Sequence, residues 1–150
     1  MRLVKGNVFE FEDVDYACIT TNSILNNKGE LVMGAGVALE AKQRFPELPK
    51  IYGNKIKNLG LVGGEYYLLQ HNNLIAFQTK VHYKDKSPLE LVKKSVTRLK
   101  FLATLFDDCI FGLPFPAINN GGLTKEMVLP IIESLPDNVL VFEKGWLDND

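Results

Sequence analysis

Charge of one sign is missing from this chain: 17 lysines and arginines stand against 18 aspartates and glutamates, leaving −1 over 150 residues. A protein that grips nucleic acid by neutralising phosphates normally shows a basic surplus, so stable nucleic-acid binding is not expected. A small-molecule phosphate site stays open, because backbone N–H groups can build one. Histidine is scarce, and nothing near His71 or His82 has zinc-ligand spacing, so no metal is expected. The two cysteines, Cys18 and Cys109, lie inside apolar strand-like runs. They read as buried reduced thiols, which fits a cytoplasmic protein and not a disulfide-stapled secreted one. No apolar run reaches membrane-spanning length, so no membrane partner is expected, and Met1-Arg2-Leu3-Val4-Lys5 does not open a signal peptide.

What is present is ordinary in bulk and specific in arrangement. Apolar residues at 46% and charged residues at 23% fit one globular domain over residues 1–150 with its own core. Leu3–Lys5, Tyr16–Thr20, Tyr66–Gln70, Leu74–Thr79, Cys109–Leu113 and Val139–Glu143 read as short strands, and His71-Asn72-Asn73 as a hairpin turn. Helices are predicted over Val37–Phe45, with Ala38, Ala41 and Phe45 on one face, and over about Leu48–Lys57. Ser87-Pro88-Leu89-Glu90 has the form of a capping box, Ser87 capping and Pro88 in the first helical position. The helix behind it carries a stripe of Val92, Val96, Leu99, Ala103 and Phe106. Thr124 can cap a last helix running to about Ser134, in which Pro130 sits awkwardly. Strands interleaved with helices indicate an α/β layered domain with a mixed sheet. Ligands on such sheets gather beyond strand carboxyl ends, here after Thr20, Thr79 and Leu113.

Those loops hold the candidate site residues. Gly34-Ala35-Gly36-Val37 opens directly into a helix, whose unpaired N–H groups and positive dipole end favour a phosphate; the plainer reading is a tight turn. Asn22 can hold a sugar hydroxyl or simply make a turn. Lys80, leaving an apolar strand, can be a nucleophile of lowered pKa or a solvated loop lysine. Pro114 through Leu123, rich in Pro, Asn and Gly, can cradle a second phosphate ahead of the next helix. The aromatics Tyr66, Tyr67, Phe77 and Tyr83 can stack on a base, though core packing explains most of them better.

Gly6-Asn7-Val8, Asn22, Met33-Gly34-Ala35-Gly36-Val37-Ala38, Gln78-Thr79-Lys80 and Pro114–Leu123 together resemble the macrodomain family in order and spacing. The likeness spans nearly the whole chain. It is strongest to the branch holding terminal ADP-ribose protein glycohydrolase and the antitoxins that strip ADP-ribose from DNA, and Thr79-Lys80 followed by residues 87–95 resembles small macrodomain proteins common in bacteria and phages. The resemblance implies a three-layer α/β/α fold with a mixed, mostly parallel sheet of about six strands. It implies a ligand, ADP-ribose or an ADP-ribosylated protein, nucleic acid or small molecule, with no metal and no cofactor. On the same ground Lys80 attacks the anomeric carbon of the distal ribose and Asn22 approaches that ribose. Asn7 meets the adenine, Gly34, Ala35, Gly36 and Val37 flank the diphosphate and distal ribose, Asn119, Asn120, Gly121, Gly122 and Leu123 wrap the diphosphate from the other side, and Val8, Pro116 and Ile118 belong to the same ligand-binding set.

Three positions depart from the family pattern. Asn7 stands where an aspartate usually accepts from the adenine amino group. Ala117, Ile118 and Asn119 replace a Gly-Cys-Gly, and Thr124 replaces a catalytic aspartate. A threonine cannot serve as a carboxylate base. The readings that follow are a lysine-dependent ADP-ribosyl hydrolase, a non-catalytic binder of ADP-ribose or a related nucleotide signal, and an ADP-ribose 1″-phosphate phosphatase.

Overall fold

The computed structural model describes residues 1–143. One six-stranded sheet organises them, built from β1 (Arg2–Lys5), β2 (Tyr16–Thr21), β3 (Leu68–His71), β4 (Leu74–Gln78), β5 (Phe111–Pro114) and β6 (Val139–Glu143). Their spatial order is β1-β6-β5-β2-β4-β3. Every neighbouring pair is parallel except the β3–β4 hairpin.

The sheet is covered on both faces because its strands are apolar on both faces. Along β2, β4 and β6, Ile19, Ala76 and Phe142 face one way and Cys18, Phe77 and Val141 the other. The first set packs on α1 (Gly36–Arg44) and α2 (Leu48–Asn58), through Val37, Ala41, Tyr52 and Ile56. The second packs on α3 (Leu89–Leu105) and α4 (Lys125–Ile132), through Val92, Leu99, Val128 and Ile132. The result is the three-layer α/β/α architecture expected from the sequence. No helix among the described residues is long and apolar enough to cross a membrane.

Several local expectations fail for identifiable reasons. Ser87 does not cap α3: Pro88 is the cap residue, with no side-chain bond at that end. Ser87 is buried, and its backbone N–H is donated to Gly121 O at 2.8 Å, which draws it away from the helix. Phe45 and Phe106 leave their predicted buried stripes, because each is a non-helical C-cap residue past the last turn and is exposed. Strand β3 starts late, at Leu68, because Tyr67 adopts a left-handed backbone at φ 65°. Cys109 lies outside β5 and is only partly buried, while Cys18 is buried and its thiol is pushed up in pKa by that burial.

Thr124 does cap α4, accepting from Met127 N at 3.3 Å. Pro130 has no N–H to offer the turn before it, and the helix ends two residues later at Ile132.

Candidate ligand site

From β2 the chain passes to β4 on one side and later to β5 on the other, so the carboxyl ends of β2 and β5 form a topological switch point. Crevices at such points are where open α/β sheets take ligands. A pocket of about 490 Å³ opens there, lined by the ends of β2, β4 and β5 and by the first turn of α1. That volume is within the range of small-molecule sites. All three loops singled out from the sequence contribute to it.

The walls are built from backbone donors. On one side Gly34, Ala35, Val37 and Ala38 line the pocket at the N-terminus of α1, where Gly36, Val37 and Ala38 hold first-turn N–H groups with no intrahelical acceptor. Of the glycine pair only Gly36 uses positive φ, at 56°. Gly34 leaves open space instead, since a Cβ there would meet nothing within 4 Å. Across the pocket run Ala117, Ile118, Asn119, Asn120 and Gly121. The N–H groups of residues 118–121 take no backbone acceptor among the described residues. A Cβ at Gly121 would come within 2.6 Å of Ala117 backbone atoms, so this loop closes only on glycine.

Ala117 takes a left-handed φ of 67°, a conformation that costs a non-glycine residue about 1 kcal/mol or more. Ala117→Gly is therefore expected to stabilise the chain, by about 0.5 kcal/mol after glycine's entropic cost is set against the relief. A calorimetric Tm higher by about 1–2 °C is the expected result. A lower Tm would show that the Ala117 methyl packs too well to lose.

The charged residues that line the pocket are Lys80 and Lys84, and no carboxylate lines it among the described residues. Lys80 is half-buried, its ammonium donating to Asn120 O at 2.7 Å and Tyr83 O at 3.2 Å. Burial draws its pKa below the ordinary lysine value, with the nearby Asp85 carboxylate working the other way. Lys80 thus bridges the β4–α3 loop and the loop after β5, across the pocket from α1.

Asn22 lines the pocket and also makes the turn that was its plainer reading. Its Oδ1 accepts from Ile24 N at 2.9 Å and its Nδ2 donates to Val32 O at 3.0 Å. One amide hydrogen and one lone pair remain for a ligand.

The other candidates do not line this pocket: Asn7, Val8, Gly36, Pro116, Gly122, Leu123 and Thr124. Val8 is buried in the core. Asn7, just beyond β1, is held by Glu40 of α1, donating to its Oε2 at 2.6 Å and accepting from Phe9 N at 2.9 Å. Gly122 and Leu123 shape the loop, Gly122 at φ 75° and Leu123 donating to Ala117 O at 2.9 Å. Among the aromatics, Phe77 and Tyr66 are core residues, whereas Tyr83 is exposed and lines the pocket.

The supporting roles of two residues escaped sequence reasoning. Gln78 is fully buried and makes four side-chain bonds: from Tyr66 N and Tyr67 N, and to Gly64 O and Lys80 O. Tyr66 donates to Asn22 O at 2.7 Å and accepts from the Thr21 hydroxyl. Together they hold the backbone on which Lys80 and Asn22 sit. The one signal was a glutamine interrupting the apolar run Leu74–Phe77.

Comparison with known proteins returns the same fold. No family model matches the chain. The solved macrodomain of Thermus aquaticus DarG is 30% identical, covers 95% of both chains and superposes with a TM-score of 0.72. Thermosipho africanus DarTG, solved in complex with ADP-ribose, gives a TM-score of 0.76 at 21% identity, covering 95% of this chain and 41% of that one, a likeness of fold alone. The curated DNA ADP-ribosyl glycohydrolase of Mycobacterium bovis is 26% identical over 116 residues, 71% of this chain. The chain spans about a third of the length of that relative, 33%. With the sheet order, the switch-point pocket and 30% identity over nearly the whole of both chains in agreement, the chain belongs to the macrodomain family.

Proposed function

We propose that this chain binds ADP-ribose and hydrolyses the linkage joining it to an acceptor, with Lys80 as the nucleophile. One observation carries the reading: a pocket that, among the described residues, has no carboxylate on its lining, is walled by two rows of backbone N–H groups without a backbone acceptor, and holds a half-buried lysine. Such walls suit a diphosphate, whose charge they meet without a metal. The lysine suits an electrophilic sugar carbon. Support comes from the relatives: one structural neighbour was solved with ADP-ribose, and a curated relative is named a DNA ADP-ribosyl glycohydrolase.

In this reading the free amine of Lys80 attacks the anomeric carbon of the distal ribose. The bond from that carbon to the acceptor breaks, its electron pair leaves on the acceptor, and a proton from the amine passes to the acceptor through solvent. Water then cleaves the carbon–nitrogen adduct, releasing ADP-ribose and restoring the amine. Asn22 orients the ribose with its remaining amide hydrogen and lone pair. Asn7, Val8, Gly36, Pro116, Gly122 and Leu123 shape or extend the site from outside the pocket lining, Asn7 toward the adenine. The whole of residues 1–150 acts as one domain, in a reducing cytoplasm where Cys18 and Cys109 stay free.

The binder reading is kept for a specific reason: Thr124 is engaged as a helix cap, and among the described residues no carboxylate lines the pocket to act as a base. The two readings part when the chain is incubated with an ADP-ribosylated oligonucleotide, an ADP-ribosylated protein and ADP-ribose 1″-phosphate. Release of free ADP-ribose from a modified acceptor is the expected result. Binding of ADP-ribose without release from any of the three makes the chain a binder, and release of phosphate alone makes it a phosphatase.

A further inference from the structure

At the carboxyl end of β2 a short relay of hydroxyls runs from the pocket into the core. Thr21 lies two residues beyond Ile19, so strand alternation puts its side chain on the α1 face of the sheet. It is 5% exposed and lines the pocket. Its carbonyl accepts from Thr79 N at 3.0 Å and Lys80 N at 3.4 Å, which fixes it beside the backbone of the proposed nucleophile. Its hydroxyl is bonded to the Tyr66 phenol, and that phenol donates its single hydrogen to Asn22 O at 2.7 Å. Burial pushes the Tyr66 pKa up, so the phenol keeps that hydrogen. With its hydrogen spent on Asn22 O, the phenol can only accept from Thr21. The relay therefore has one direction, Thr21 to Tyr66 to Asn22. The Thr21 oxygen has committed its hydrogen, and among the described residues no donor meets its lone pairs.

We propose that Thr21 is a specificity-determining residue that reads one hydroxyl of the distal ribose, accepting from it through an oxygen that has no hydrogen to donate. The inference rests on the ADP-ribose reading of the pocket, which brings that sugar to the neighbouring Asn22. A buried acceptor is satisfied by a sugar O–H, whereas a phosphate or carboxylate oxygen brings no hydrogen and is repelled. The pocket wall is thus divided by polarity. The first-turn N–H groups of α1 donate and suit the diphosphate, while Thr21 accepts and suits the sugar. That division sets which way round the ligand lies, because exchanging sugar and diphosphate would put oxygen against oxygen. Asn22 adds one free amide hydrogen and one lone pair beside Thr21. Side by side the two residues offer partners for adjacent hydroxyls, which a ribose carries and a deoxyribose does not.

The test is calorimetric titration of the full chain with ADP-ribose and with its 2″-deoxy and 3″-deoxy forms, each lacking one hydroxyl of the distal ribose. Wild type is expected to bind at least one deoxy form about tenfold more weakly than ADP-ribose, the size of one neutral hydrogen bond. Thr21→Val removes the acceptor at nearly constant shape. It is expected to weaken ADP-ribose about tenfold, yet to cost less than about twofold with the deoxy form whose hydroxyl Thr21 reads, since that contact is already missing. The ligand on which the loss disappears identifies the hydroxyl as 2″ or 3″, and either supports the proposal. Thr21→Ser restores the oxygen and should return ADP-ribose affinity to within about threefold of wild type. Equal binding of all three ligands by wild type would overturn the proposal without any variant having to fold. An equal loss on all three ligands in Thr21→Val would also overturn it, because the hydroxyl would then only support the wall. Failure of ADP-ribose itself to bind would strike the functional reading, and the subsite would fall with it.

Discussion

Lys80→Ala is expected to cut release of ADP-ribose from a modified acceptor by about 10³-fold or more, while ADP-ribose affinity stays within about tenfold, or roughly 1.4 kcal/mol. The asymmetry follows from the site. In the proposed reading the diphosphate is met by backbone N–H groups that the substitution does not touch, whereas the attacking atom is removed outright. Lys80→Arg is the sharper control. A guanidinium can still donate to Asn120 O and Tyr83 O and keeps the positive charge, but it does not lose its proton in the working pH range. Turnover should therefore vanish in both variants.

The pH dependence has a fixed sign. At low pH Lys80 is an ammonium bonded to two carbonyls and cannot attack, so the rate rises with pH as the amine is freed. Burial lowers its pKa, so the rise should level off below the ordinary lysine value of about 10.4. Asp85 opposes that shift, and Asp85→Asn should move the rising limb to lower pH. A flat profile, or full turnover in either Lys80 variant, would remove Lys80 from the chemistry.

Gln78→Leu is the second large effect, on stability. The leucine strands four backbone groups, one buried and three half-buried: the N–H groups of Tyr66 and Tyr67 and the carbonyls of Gly64 and Lys80. Each orphaned group costs about 1–3 kcal/mol, though partial rearrangement prevents the costs from adding. A loss of about 3–5 kcal/mol is expected, lowering Tm by about 10 °C or more. Gln70→Leu serves as the comparison, since that glutamine on β3 is exposed and bonds only Asn72 O, and its loss should stay within about 0.5 kcal/mol. Gln78→Glu keeps the acceptor for Tyr66 and Tyr67 but buries a charge and loses both donors, so it too should destabilise. Equal melting of Gln78→Leu and wild type would mean the four bonds contribute nothing net.

These two residues mark what the sequence could and could not disclose. Strand β6 was legible to the residue, and β2, β4 and the helix α3 nearly so, because alternation and a four-three apolar stripe are local signals. The three loops around the pocket were legible from their positions after apolar strands. Lys80 stood out because it ends such a strand. The supporting role of Gln78, two positions earlier, did not, because it lies in bonds to Gly64, Tyr66 and Tyr67, more than ten positions away in the chain. Ser87 misled for a related reason. Its capping pattern is local, but its N–H is claimed by Gly121 of another loop. Ala117 shows the converse: its position keeps a left-handed backbone although its residue type does not ask for one.

The central claim is that the pocket between α1 and the loop after β5 holds ADP-ribose. Isothermal titration of the wild-type chain with ADP-ribose tests it most directly. One saturable site per chain is predicted, weakened when Gly34→Val or Gly121→Ala crowds either wall. Absence of any saturable heat from ADP-ribose, or binding indifferent to both substitutions, would contradict the account.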